Sequence, residues 1–257
     1  NPTQSHLLAF YKNTVQLYDS SLSHQGTLIV GAEVIDAIEL TDGSFVVASG
    51  DKVVSVFDSS KKMTHHVLLS KKPTSLAEIG DSFLVADKFG DVYRFKATDL
   101  PVSTEDAGSL KDSITEHIVV AHFSLINKIA ITKKGNAIVT CDRDEKVRIT
   151  RYPRTDIIQS FCYGFIEAVT SAVCEEVQNK AIVVCGGCDG SMRIFNVTNG
   201  EEIGHYMFDK NDVVIVYDGH VKDNDLILLV NVEGKKLHKL TATFTNDNNQ
   251  APVAFHT

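Results

Sequence analysis

The chain has 257 residues, 43% of them hydrophobic and 23% charged, with a net charge of −8. That length allows one large all-β domain or two smaller ones, and it contains no run of about 18 apolar residues that would cross a membrane as a helix. Nucleic acid repels an acidic surface, so strong binding of RNA or DNA by this chain alone is not expected.

The first ten residues, NPTQSHLLAF, have no basic region ahead of an apolar core, so no signal peptide is expected. The missing initial Met reads as a trimmed fragment. From there on, apolar residues recur with period two in short runs. These are SFVVASG (44–50), VVSVFD (53–58), SFLVADK (82–88), DVYRFK (91–96), AIVTCD (137–142), KVRIT (146–150), AIVVCGG (181–187) and SMRIFNV (191–197). Gly, Asp, Asn and Lys punctuate them, the pattern of strands joined by tight turns, and no convincing amphipathic helix interrupts it. The expected class is all-β.

The runs repeat as sets. Strand endings align at Tyr18, Phe57, Phe95, Thr150, Phe195 and Leu240, with spacings of 39, 38, 55, 45 and 45. A unit of about 40 residues is the period of a propeller blade. The long interval holds the acidic, Ser/Asp-rich stretch 99–116, which reads as a surface loop inserted in the third unit. Each unit resembles a degenerate WD repeat: Asp-Gly-x-x-Arg-Ile-Phe stands at 189–195, and Tyr-Asp or Phe-Asp replaces Trp-Asp in a chain without Trp. The expectation is a single WD-repeat-type β-propeller over 1–257. Six blades are visible in a ring of seven, with the last incomplete.

Candidate chemistry is sparse. The five cysteines are odd in number and lie mostly in apolar runs, which fits free thiols in a reducing compartment. Cys185-Gly186-Gly187-Cys188 has redox spacing but closes a strand instead of opening a helix, so structural thiols are expected. His65 and His66 are adjacent on a strand, point to opposite faces and cannot share a metal ion. No nucleophile elbow, zinc-protease motif or phosphate-binding loop occurs. No catalytic residue, metal or cofactor is assigned to the chain.

The charged run Asp142-Arg143-Asp144-Glu145-Lys146, followed by Val147-Arg148, stands apart. From Lys128 to Arg154 eight basic residues face three acids, a local +5 on an acidic body. Spacing alone allows a solvated turn between inner strands. It also allows a pre-organised patch in which Asp142, Asp144 and Glu145 brace Arg143, Lys146 and Arg148 for an acidic partner surface.

Three stretches in this order resemble the WD-repeat, non-catalytic subunit of the eukaryotic tRNA (guanine-N7-)-methyltransferase. They are Val85-Ala86-Asp87-Lys88-x-Gly90-Asp91-Val92-Tyr93, Asp142 to Ile149, and Ser160-Phe161-Cys162-x-Gly164. The resemblance implies a scaffold that binds and stabilises a separate catalytic subunit, which carries S-adenosylmethionine and forms N7-methylguanosine in the tRNA variable loop. It implies tRNA contact mainly through that complex, no membrane, and a place in the nucleus with the cytoplasm as second compartment. Carried over by position, the partner contact falls on Lys146 and Arg148 with Arg143 assisting, and Asp142 and Asp144 hold the turn. Phe165 departs from the family, which has His there, and this should weaken one blade's internal network. The alternative function is a generic WD-repeat scaffold in another nuclear or cytosolic complex.

Overall fold

In the computed structural model, residues 6–110, 113–223, 225–244 and 253–256 are described. The chain divides into two compact units, Asn1–Phe123 and Ser124–Thr257. Each is built from antiparallel sheets in which consecutive strands are neighbours.

In the first unit, β1 (Leu7–Tyr11), β2 (Thr14–Tyr18) and β3 (His24–Ile29) form a three-stranded sheet. The second sheet is β4 (Val34–Glu39), β5 (Phe45–Ser49), β6 (Val53–Phe57) and β7 (Met63–Leu68). The third is β8 (Pro73–Ile79), β9 (Ser82–Asp87), β10 (Asp91–Phe95) and β11 (Ile118–Ala121). The sequence of β5 explains the stacking. Phe45 and Val47 pack with Val15, Leu17 and Leu28 of the first sheet, while Val46 and Ala48 pack with Phe83, Val85 and Tyr93 of the third. Alternate residues point to opposite faces and both faces are covered, so the strand is apolar throughout.

The second unit repeats the logic. Its sheets are β12 (Ile126–Ile131), β13 (Ala137–Asp142), β14 (Val147–Arg151) and β15 (Ile158–Cys162); β16 (Val169–Val177), β17 (Lys180–Gly187), β18 (Ser191–Asn196) and β19 (Glu202–Met207); and β20 (Val214–Lys222), β21 (Asp225–Val232), β22 (Leu237–Phe244) and β23 (Val253–His256). Val183 and Cys185 of β17 pack with Val139, Cys141 and Ile149. Ile182 and Val184 pack with Val214, Val216 and Leu228. Burying such a side chain fully stabilises by roughly 1.5–3 kcal/mol.

The six aligned strand endings fall on equivalent strands, β2, β6, β10, β14, β18 and β22. Among the described residues there are six sheets. The one short of four strands opens the chain, whereas the sixth, at the end, is complete. All five cysteines are free, and Cys141, Cys162, Cys174 and Cys185 are buried in one core cluster.

The stretch 99–116 departs from a plain surface loop. Leu100 and Ile114 are buried in the cluster that holds Tyr93 and Phe95. Its backbone runs along the outer edge of the second sheet: His66 donates to the Pro101 carbonyl at 3.0 Å, Leu68 to Ala107 at 2.8 Å, and Ser103 to Thr64 at 2.8 Å. The segment covers the edge of β7, which would otherwise present unpaired backbone groups. Residues 111 and 112 lie outside the described residues.

The Phe165 position is likewise resolved by packing. Its ring is buried 6.2 Å from the Phe195 ring, with the Arg193 guanidinium 5.4 Å away. A Cβ on Gly187 would meet it at 2.5 Å, so the close approach depends on that glycine. Asp189 is still engaged: it accepts from the N–H groups of Ile166 at 3.1 Å and Ser191 at 3.0 Å.

Candidate functional site

The charged run joins β13 to β14 through a three-residue loop, Arg143 to Glu145, closed by the Asp142 N–H donating to the Lys146 carbonyl at 3.0 Å. Three of the equivalent turns in other sheets also have their third loop residue in the left-handed region, Lys52, Gly90 and Gly190, as Glu145 is here at φ 70°. This is a type I turn with a following bulge, where glycine is usual. A non-glycine residue costs of order 1 kcal/mol there.

What holds the turn is Asp142. It ends a strand that is buried throughout and is itself buried. Its Oδ1 accepts the Asp144 N–H at 2.9 Å and the Lys146 N–H at 3.0 Å. An Asp side chain bonding the backbone two residues ahead is the Asx arrangement that favours this residue at turns. The Arg143 N–H donates to the Leu125 carbonyl at 2.9 Å, tying the turn to the segment before β12.

The basic side chains divide into two kinds. Arg143 and Lys146 are exposed on the turn. Lys146 Nζ donates to the Asp144 carbonyl at 3.0 Å, and Arg143 Nε lies 3.6 Å from Asp144 Oδ1. At such exposure these contacts orient more than they stabilise. Arg148 is different: it sits inside β14, in register with Thr140 on one side and Phe161 on the other, and is partly buried. Burial lowers its pKa, and the Asp142 carboxylate opposes that shift. An Arg stem lying against neighbours with its head near a carboxylate is held in place before any partner arrives.

The structure therefore brings five of the six named residues into one hydrogen-bonded turn, and Arg148 follows on the adjoining strand. Asp142 and Asp144 act as braces through backbone and ionic contacts. Glu145 is exposed and makes no ion pair among the described residues, so it contributes through its backbone conformation. Sequence reasoning missed the Leu125 carbonyl, because a backbone acceptor leaves no trace in residue type. It also missed the partial burial of Arg148, which depends on flanking strands far away in sequence. Among the described residues, no three His, Cys, Asp or Glu side chains gather as a metal site.

The turn and its flanking strands lie within residues 103–239, which match the profile of the tRNA methyltransferase TRM82 WD40 domain. Among curated proteins, the chain is 30% identical over 72% of its length to the tRNA (guanine-N(7)-)-methyltransferase non-catalytic subunit TRM82 of Candida glabrata, covering 42% of that protein. It is 25% identical over 77% of its length to the corresponding non-catalytic subunit wdr4 of Dictyostelium discoideum, covering 46% of it. The chain thus spans less than half the length of these curated relatives. Among solved structures, the WD40 β-propeller domain of Doa1 aligns with 96% of the chain and 77% of its own at a TM-score of 0.69 and 14% identity. That likeness fixes the fold as a WD40-type β-propeller. With more than half of its residues matched by the profile, the chain belongs to the tRNA methyltransferase TRM82 WD40 domain family.

Proposed function

We propose that the chain is the non-catalytic scaffold of a tRNA (guanine-N7-)-methyltransferase, gripping a separate catalytic subunit through the turn from Asp142 to Arg148. The observation that carries this reading is a turn braced on the buried Asp142 that presents Arg143 and Lys146, inside the segment matched by the TRM82 family. Exposed Arg143 and Lys146 offer donors to partner carboxylates, and Arg148 supplies a pre-oriented guanidinium behind them. A close charge pair desolvated at an interface matters by several kcal/mol when one member is removed. In this reading S-adenosylmethionine belongs to the catalytic subunit, tRNA is engaged mainly by the complex, and the complex works in the nucleus.

The test is reconstitution. Catalytic subunit produced with this chain should transfer methyl groups to tRNA at least about tenfold faster than the same subunit alone, and should stay soluble. Equal rates with and without the chain would overturn the scaffold role.

A further inference from the structure

A polar cavity of about 330 Å³ opens in the second unit, a size that suits a small ligand. The β12–β13, β16–β17 and β18–β19 turns line it. It stands at the far end of β13 from the charged turn: Asn136 lines the cavity just ahead of that strand, and Asp142 ends it roughly 20 Å away. The turns consume their amide acceptors and leave the donors over. Thr132 Oγ1 accepts the N–H groups of Asn136 at 3.2 Å and Ala137 at 3.1 Å, so both its lone pairs are taken and it donates to Asn136 Oδ1 at 2.7 Å. Asn196 Oδ1 accepts the Thr198 N–H at 2.8 Å. Each amide thus has its oxygen engaged, and its Nδ2 donors are unused among the described residues.

Charge points the same way. Lys133 Nζ lies 2.9 Å from a Glu175 oxygen and Lys134 Nζ 2.9 Å from a Glu176 oxygen, so each carboxylate in the lining has its own cation. The exposed Lys180 has no ion-pair partner among the described residues, which leaves the lining at a net +1. We propose that this cavity binds a small anion of the phosphate class through Asn136 Nδ2, Asn196 Nδ2 and Lys180 Nζ. These donors come from three separate turns, and a tetrahedral anion has an oxygen for each, whereas a carboxylate offers only two coplanar oxygens. The site is independent of the function proposed above.

The experiment is titration calorimetry on the whole chain at a constant ionic strength of about 0.15 M, with inorganic phosphate as the probe and acetate as its planar counterpart. Phosphate should bind with a Kd at or below about 1 mM, and acetate at least about tenfold more weakly. Two variants are compared. Lys180→Glu reverses an exposed charge, and Asn196→Asp keeps the oxygen that holds the Thr198 N–H while replacing the donors with a second acceptor. Each should weaken phosphate binding at least about tenfold, the worth of one charge-assisted hydrogen bond, at an unchanged melting temperature. Lys180→Glu keeps the test valid should Asn196→Asp fold poorly. No phosphate binding at about 10 mM overturns the inference, and so does acetate that binds as tightly as phosphate. Phosphate affinity within about twofold of the parent in either folded variant overturns it too, because the anion then sits elsewhere on the chain.

Discussion

The Asp142 carboxylate accepts the Lys146 backbone N–H at 3.0 Å, so the residue that ends β13 fixes the position from which the exposed lysine projects. A side chain buried in a blade thereby sets the geometry of charges on its rim.

Asp142→Ala should remove both acceptor bonds and strand the N–H groups of Asp144 and Lys146. The expected cost is about 1–3 kcal/mol, read as a fall in melting temperature of about 2–4 °C for each kcal/mol at this size. A melting temperature equal to the parent's would mean that the turn holds without its Asp.

Glu145 and Gly190 occupy the same place in their turns, at φ 70° and 76°. Glu145→Gly relieves the left-handed strain of an exposed residue and should raise stability by up to about 1 kcal/mol, less what glycine adds to unfolded-state entropy. Gly190→Ala should do the reverse and more, since its Cβ would run into the Asp209 carbonyl oxygen. Denaturant midpoints that move in the same direction for both variants would contradict this account.

The buried thiols make stability fall at alkaline pH. Burial pushes the pKa of Cys162 up to about 12 and raises those of Cys174 and Cys185 as well. An unfolded thiol ionises near pH 8.5. Below that both states hold the proton and stability is full. Above it only the unfolded state ionises, so each such thiol subtracts up to about 1.4 kcal/mol per pH unit until its folded pKa is reached. Between pH 9 and 11, Cys162→Ala should flatten the decline by about that slope; identical slopes for variant and parent would refute the burial argument.

Much of the fold was legible because period-two burial leaves its mark in residue type. The positions Tyr18, Phe57, Phe95, Thr150, Phe195 and Leu240 all fell on the equivalent strand of their sheets, although Leu240 lies mid-strand and Tyr18 is only half-buried. The 99–116 stretch was harder: its apolar residues are scattered singly among polar ones with no strand period, and its role is carried by backbone groups bonding to β7. At Phe165 the departure from His is visible in sequence, whereas the contacts its ring makes with Phe195 and Arg193 are not. At the candidate site, charge density marked the turn. The division between exposed Lys146 and half-buried Arg148 required the register of β14.

The central claim is that the exposed charges of this turn hold the catalytic subunit, and a charge reversal tests it most directly. Arg143→Glu with Lys146→Glu alters two exposed side chains, so the melting temperature should stay within what about 0.5 kcal/mol allows. Titration of the catalytic subunit into this variant should show binding weakened at least about 100-fold. A folded variant that binds the subunit with the parent's affinity would contradict the account.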